Sequence, residues 1–337
     1  MLRLGIVGAG AMAEYHAKRF AGIDGLRVAA VCDHLPIKAR AFAEARGLRA
    51  FAGPADMAAS GEVDAFAIAS FDGWHRAPAL AAFDRGLPVF CEKPLARTLP
   101  EAEEMSAAAA LSGLPAMVNF SKRNGGLLSL ARRIAEGGDL GSAPEGELTY
   151  RQSWLLQDSW GDHRTATRWR WRLSEALSTH GALGDLGSHL FDAALLLAGG
   201  GLAVSRCSAK RYVEESGEAL EGGGAFESFD AALEGRRMRA AALGGWREEG
   251  KLDAFVISVK GEKGFLELDL ERSRSSLLLV LGGLSRELRA EPQASTYERF
   301  AAVASGAPDP ELGEPIDFAR GLAVQRLVED CARLAGP

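Results

Sequence analysis

The chain has 337 residues, with 39 Lys and Arg against 45 Asp and Glu and a net charge of −6. That balance excludes nucleic acid as the expected partner, and no apolar run is long enough to span a bilayer. With 47% hydrophobic residues, the length suits about two domains with cores of their own. Four cysteines, Cys32, Cys91, Cys207 and Cys331, show neither CxxC pairing nor metal-ligand spacing. Reduced thiols and a cytoplasmic location are therefore the expectation. The opening residues already read as strand and turn, not as a cleavable signal.

In chain order, the apolar run 3–7 predicts a strand. Gly8-Ala-Gly-Ala-Met-Ala13 follows it, and then a helical pattern from Glu14 to Ala21. This is the strand, glycine-rich turn and helix of a dinucleotide fold, with alanine as the third small residue. Gly8 permits the tight turn, Gly10 admits a pyrophosphate, and Ala13 allows close packing of helix on strand. The turn as a whole, Ala11 and Met12 included, is the expected phosphate contact at the positive end of the helix. A second strand, 27–32, ends in Asp33, placed to grip the ribose hydroxyls and repel a 2′-phosphate. NAD is therefore favoured, with NADP kept open by the nearby Lys38. The competing reading makes Asp33 a solvated loop residue.

Further strands at 64–69, 87–91 and 115–119 alternate with helical patterns, among them 100–111, which predicts a doubly wound parallel sheet. The strand 87–91 runs into Glu92-Lys93-Pro94. Pro94 favours an extended Lys93, a cis Lys93–Pro94 bond being one option. In open parallel sheets ligands bind at the carboxyl ends of the strands. An ammonium there would stabilise a developing alkoxide. Considered in isolation, a lysine at this place reads better as a surface charge.

Beyond a helix at 127–136 the texture changes to short alternating segments: 146–154, 204–213, 226–233, 238–246, 255–260, 265–270 and 277–281. These predict an α+β domain with a largely antiparallel sheet, giving a division into 1–122 and 123–337. A closing helix at 316–334 is expected to pack back on the first domain. The glycine triplets 199–201 and 222–224 read as turns. Residues 184–196 read as a helix with Asp185, His189 and Asp192 on one face and leucines opposite. An imidazole one turn from a carboxylate suits proton transfer. The alternative is a buried hydrogen-bonding histidine. No further ligand accompanies Asp185 and His189, so a metal is not expected. In the run 164–172 tryptophans and arginines alternate. An extended chain would set Trp169 and Trp171 against Arg168, Arg170 and Arg172. That pattern reads as a carbohydrate pocket, or as core tryptophans with paired arginines.

On the glycine turn, on Glu92-Lys93-Pro94 and on Gly184-Asp185-Leu-Gly-Ser-His189 with Asp192, the chain resembles the glucose–fructose oxidoreductase, inositol dehydrogenase and rhizopine-catabolism family over essentially its full length. His75 in Ser70-Phe-Asp-Gly-Trp-His75, Trp171-Arg172, Asn119-Phe120 and Arg123 add to the resemblance. It implies NAD(P)-dependent oxidation of a secondary alcohol on a sugar or cyclitol, with Lys93, Asp185 and His189 as the catalytic trio. It further implies Ser70, Phe71, His75, Glu92, Asn119, Trp171 and Arg172 on the cofactor side, and Arg123, Trp154, Arg170 and His180 toward substrate. A homodimer or homotetramer formed through a large open sheet is implied as well. The stretch from Gln152 to Asp158 resembles, more loosely, members acting on inositols, sugars and anhydrosugars. The chain departs from the family at Ser70-Phe71-Asp72, where Thr-Pro-Asn is usual, so Asp72 leaves the nicotinamide and ribose contacts open. His180 in Ser178-Thr-His-Gly181 is an extra imidazole, either a substrate contact or a loop residue. Two rival functions are an NAD-dependent glycosidase without net redox and a catalytically silent cofactor sensor.

Overall fold

The computed structural model describes residues 1–336 except 158–160, 165–166, 215–219 and 312–314, and only the backbone of Thr167 and Arg168. Asp158 and part of the run 164–172 therefore lie outside the described residues. The chain forms two compact units, Met1–Ser121 with Ala294–Ala323, and Lys122–Gln293 with Val324–Pro337. This differs from a single cut after 122, because the segment 294–323 returns to the first unit.

The first unit runs β1 (Leu2–Val7), α1 (Ala11–Ala21), β2 (Leu26–Cys32), α2 (Pro36–Glu44), β3 (Arg49–Phe51), α3 (Pro54–Ala59), β4 (Ala65–Ile68), α4 (Arg76–Phe83), β5 (Val89–Cys91), α5 (Leu99–Ser112) and β6 (Ala116–Val118). Its six strands pair in parallel in the order β3-β2-β1-β4-β5-β6, the dinucleotide-binding arrangement. The strands β4 and β5 are wholly buried, as a parallel sheet covered on both faces requires. Pro36, Pro54 and Pro100 sit in first helical turns, where the missing N–H costs nothing. The helix α5 opens with a Thr98–Glu101 capping box and closes at left-handed Gly113. The short β3 escaped the sequence reading because its three residues carry no buried apolar run.

The second unit runs α6 (Leu127–Glu136), β7 (Glu145–Arg151), α7 (Thr167–Arg170), α8 (Ser188–Leu197), β8 (Leu202–Arg211), β9 (Phe226–Gly235), β10 (Arg239–Gly245), β11 (Ala254–Gly261), β12 (Gly264–Asp269), β13 (Ser276–Leu281) and β14 (Leu284–Arg289). The eight strands lie in the order β14-β13-β12-β11-β7-β10-β9-β8, antiparallel except for β7 beside β10. The edge strand β14 is largely exposed and polar, so it left no apolar pattern to read.

The remaining helices are α9 (Thr296–Ala304), opened by a Ser295–Glu298 capping box, and α10 (Phe318–Ala335), which spans the division between units. In the first unit Phe20 of α1, Phe90 of β5, and Tyr297 and Phe300 of α9 form one aromatic cluster with centroids 5.0–6.2 Å apart. That packing is what brings the returning segment into the first unit. No described helix is long and apolar enough to cross a membrane.

Two expectations are corrected here. The segment 184–196 is helical, but it begins within a π-helical turn, Leu183–Gly187, and every residue of α8 is buried. Asp192 therefore lies on no open polar face. The run 164–172 is not extended where it is described. The helix α7 leads into a 3-10 turn, Trp171–Leu173, so tryptophans and arginines do not sort onto two sides.

Candidate active site

The candidate residues fall into two groups, one in each unit. In the first unit they line the carboxyl edge of the parallel sheet. Gly8 has φ +102, and a Cβ there would lie 3.0 Å from the Ala69 carbonyl carbon and the Ser70 nitrogen, so only glycine fits. Gly10 differs, because a Cβ on it would meet nothing within 4 Å. Its bareness leaves open space at the start of α1. No side chain caps that helix, whose Ncap is Gly10. Its first N–H groups and its dipole therefore suit a phosphate anion.

Asp33 ends β2 and is locked in place. Its Oδ2 accepts from Ala9 N at 2.8 Å and its Oδ1 from Leu35 N at 2.8 Å. Oδ2, with one protein partner, keeps a lone pair for a ribose hydroxyl. His34 Nδ1 lies 3.2 Å from Asp33 Oδ1. Its ring packs on Trp74 at 5.0 Å, with Phe71 edge-on to both. Trp74 is half exposed. This aromatic trio was not singled out in the sequence, because His34 and Trp74 are forty residues apart and only the β2-β1-β4 order joins them. Asp72 is buried in the 3-10 turn Asp72–Trp74.

Lys93 follows β5, joined to Pro94 by a cis bond. His75 is buried behind this turn. Its Nδ1 lies 3.1 Å from the Pro94 carbonyl and 3.2 Å from that of Leu95, while Nε2 lies 3.0 Å from the Ser70 carbonyl. His75 thus braces the loop after β4 to the lysine turn. Glu92 and Asn119 are also interior. Asn119 Nδ2 donates to Glu92 Oε1 at 2.7 Å and to the Tyr297 hydroxyl at 3.2 Å, and its Oδ1 accepts from Thr296 at 2.8 Å. His16 Nε2 lies 3.0 Å from the same Glu92 oxygen. Burial opposes ionisation of Glu92, but the bond and charge of His16, the charge of Lys93 and the bond from Asn119 prevail. Its carboxyl is held below the usual glutamate value.

In the second unit Asp185 occupies the π-helical turn and His189 the first turn of α8. Such π turns recur at functional sites. Here the chain is packed too closely for side chains at two glycines. A Cβ on Gly184 would meet the Thr179 carbonyl oxygen at 2.1 Å, and one on Gly181 the Phe226 carbonyl oxygen at 2.4 Å. His180 and Gly181 enter the turn with φ +53 and +59. Asp185 is partly open, with Arg172 Nε 3.9 Å from its Oδ2. The Arg172 guanidinium lies over the rings of Trp169 and Trp171 at 4.9 and 4.5 Å. His189 is buried, its ring 5.9 Å from that of Tyr150.

Tyr150 donates to Asp253, which also receives Gln152 Nε2 at 3.0 Å and Lys122 Nζ at 2.9 Å. Burial, then the charge of Asp253, pushes the Tyr150 phenol well up, so it stays protonated. This tyrosine network was missed because strand register, Tyr150 opposite Phe255, sets it and no local motif does.

Four substrate-side expectations meet different surroundings. Arg123 is 5% exposed, its Nε and Nη2 binding both Asp192 oxygens at 2.6 and 2.7 Å. Trp154 is 2% exposed, stacked on Trp246 at 5.0 Å. It is core, because the chain turns inward after β7. His180 Nδ1 lies 2.7 Å from Glu175 and Nε2 3.2 Å from Glu329. Arg170 pairs with Glu214 at 3.3 Å.

Residues 2–120 match the family model for the oxidoreductase family with an NAD-binding Rossmann fold, and residues 128–267 match the GFO/IDH/MocA C-terminal domain. Inositol 2-dehydrogenase of Mycolicibacterium gilvum is 36% identical over 144 residues, 42% of this chain and 41% of that protein. Levoglucosan dehydrogenase of Pseudarthrobacter phenanthrenivorans is 33% identical over 138 residues, 41% of this chain and 34% of that protein. The aligned part thus spans about two fifths or less of these curated relatives. A solved levoglucosan dehydrogenase in complex with NADH shares the fold, with a TM-score of 0.85 and 19% identity over 99% of this chain and 96% of that one. So does an inositol dehydrogenase homologue from Azotobacter vinelandii complexed with NAD+, with a TM-score of 0.82, 20% identity and 99% and 95% coverage.

Proposed function

Because the chain belongs to the GFO/IDH/MocA family of oxidoreductases, we propose that it is an NAD-dependent dehydrogenase of a secondary alcohol on a sugar or cyclitol. Inositol-like rings, aldoses and anhydrosugars are the substrate classes. The observation that carries this reading is the carboxyl edge of the 3-2-1-4-5-6 sheet. There an uncapped helix start, a locked Asp33 and Lys93 follow β1, β2 and β5.

The pyrophosphate would rest on the first turn of α1, at Gly10, Ala11 and Met12, and Asp33 would take the adenosine ribose hydroxyls. A carboxylate held there by two backbone N–H groups repels a 2′-phosphate, which favours NAD over NADP. A bound nicotinamide supplies the hydride acceptor. His189 accepts the proton of the substrate hydroxyl. Asp185 orients that hydroxyl and the imidazole, and Lys93 stabilises the alkoxide as it develops. Arg172, over the rings of two tryptophans and 3.9 Å from the Asp185 carboxylate, sets a positive charge beside it.

Homo-oligomerisation belongs to the same proposal. One face of the eight-stranded sheet is covered by α6 and α8. The other carries the partly exposed Leu243, Val256, Phe265, Leu278 and Val280 among polar residues such as Glu147, Ser258 and Glu267, a mixed face that a second copy could cover. The relatives named above are dehydrogenases, which weighs against the glycosidase and the silent sensor.

The test is the initial rate of reduced-nicotinamide formation, with NAD or NADP, over inositols, aldoses, anhydrosugars and glycosides. Turnover of a polyol with NAD is expected. Glycoside hydrolysis without reduced cofactor, or bound NAD with no turnover of any polyol, would overturn the reading.

A further inference from the structure

Behind Lys93 lies a group of polar side chains that an interior has no packing reason to hold. His16, Glu92, Asn119, Thr296 and Tyr297 are each at most 6% exposed. Burying such groups costs stability that apolar residues of similar volume would not. They come from four places, α1, the end of β5, the end of β6 and α9, and they converge on one carboxylate. Glu92 Oε1 receives Asn119 at 2.7 Å and lies 3.0 Å from His16 Nε2. His16 Nδ1 is 2.9 Å from the Tyr297 hydroxyl, which Asn119 also meets at 3.2 Å. The second carboxylate oxygen, Oε2, accepts the backbone N–H of Lys93 at 3.2 Å.

We propose that His16, Glu92, Asn119 and Tyr297 form a positioning device for Lys93. The Glu92 carboxylate holds the lysine backbone with one oxygen and is itself fixed through the other. The device is held because each member has at least two polar neighbours within it, and a connected polar network restricts the geometry. It also places an ionised carboxylate on the residue beside the lysine. His16 belongs to α1, whose first turn would carry the pyrophosphate, so one network joins the cofactor helix to the lysine. Around it stand Arg19, 5.3 Å over the Tyr297 ring, and Tyr15, edge-on to that ring at 6.2 Å. Removing Asn119 or His16 from this role would leave Glu92 as a buried carboxylate short of donors.

The proposal gives a purpose to the catalytic reading of Lys93 made above, but its test is independent of turnover. The chain has eight lysines, few enough to resolve as separate signals after reductive ¹³C-methylation of the full-length protein. The Lys93 signal is identified by its loss in Lys93→Arg. Its titration is then followed by NMR in the wild type and in Glu92→Gln, His16→Gln and Tyr297→Phe. Glu92→Gln should lower the Lys93 midpoint, because it removes a negative charge from the residue beside the ammonium. Tyr297→Phe removes one oxygen and no charge. It should still shift the Lys93 signal while the other seven lysines titrate as before. A Lys93 signal unmoved in Tyr297→Phe, in a protein whose other signals are native, would overturn the device. So would a Glu92→Gln midpoint equal to that of the wild type. If Glu92→Gln does not fold, Tyr297→Phe and His16→Gln decide. Loss of the catalytic reading would show instead as an inactive wild type whose Lys93 still responds to the network.

Discussion

Single residues decide the chemistry, and their surroundings differ from what residue type alone conveys. His189 is buried against Tyr150, so a water molecule is a poor substitute for its imidazole. His189→Ala should lower kcat by about 10² to 10⁴-fold, the usual worth of a general base, with the Kd for NAD unchanged. Fluorescence titration of NAD alongside the rate measurement separates the two, and an equal loss of NAD affinity would reassign the residue. Of the residues expected on the cofactor side, Glu92, His75 and Asn119 are internal struts with identified partners. Their types and spacing were legible in the sequence. Their roles were not, because a buried Asn and an open Asn look alike until Thr296 and Tyr297 are brought beside them by α9. His34 and Trp74, in contrast, stand at the sheet edge beside Asp33 and drew no notice as a pair.

At the scale of elements, α8 is anchored where a surface helix would be free. Asp192 binds Arg123 through two hydrogen bonds, with both side chains 3% exposed. Removing one partner leaves a buried uncompensated charge. Arg123→Met should therefore cost about 3–5 kcal/mol in denaturant unfolding. The double variant Arg123→Met with Asp192→Leu should recover much of that loss. Equal stability of the single and double variants would mean that the ion pair carries no such weight. The π turn ahead of α8 depends on glycine in the same way, since Gly184 and, before it, Gly181 sit where a Cβ would strike a carbonyl oxygen. The reason they cannot be replaced is the Thr179 and Phe226 carbonyls, and the latter comes from a strand more than forty residues onward.

At the scale of the whole chain, the loop entering the π turn is tied to the end of α10. His180 lies between Glu175 and Glu329, and Arg211 adds a bond to Glu175. Burial works against its charge, but the bonds and charges of Glu175 and Glu329 prevail and raise it from 6.5 to about 9. A value raised on folding stabilises most below the unfolded value, and that contribution disappears as pH rises through the folded one. The wild type should therefore lose stability relative to His180→Gln between about pH 6.5 and pH 9, by at most about 3 kcal/mol. Urea midpoints at the two ends of that range measure it. Parallel midpoints for the two proteins would rule the clasp out. By itself the sequence determined the parallel sheet, the nucleotide turn, Asp33 and the Glu92-Lys93-Pro94 turn, because each of these is encoded within a few adjacent residues by period, glycine placement or proline. Only the tertiary structure decided that residues 294–323 return to the first unit, that the run 164–172 is helical where described, and which polar residues are struts. Those outcomes depend on partners supplied from distant strands and helices, and no local pattern carries that information.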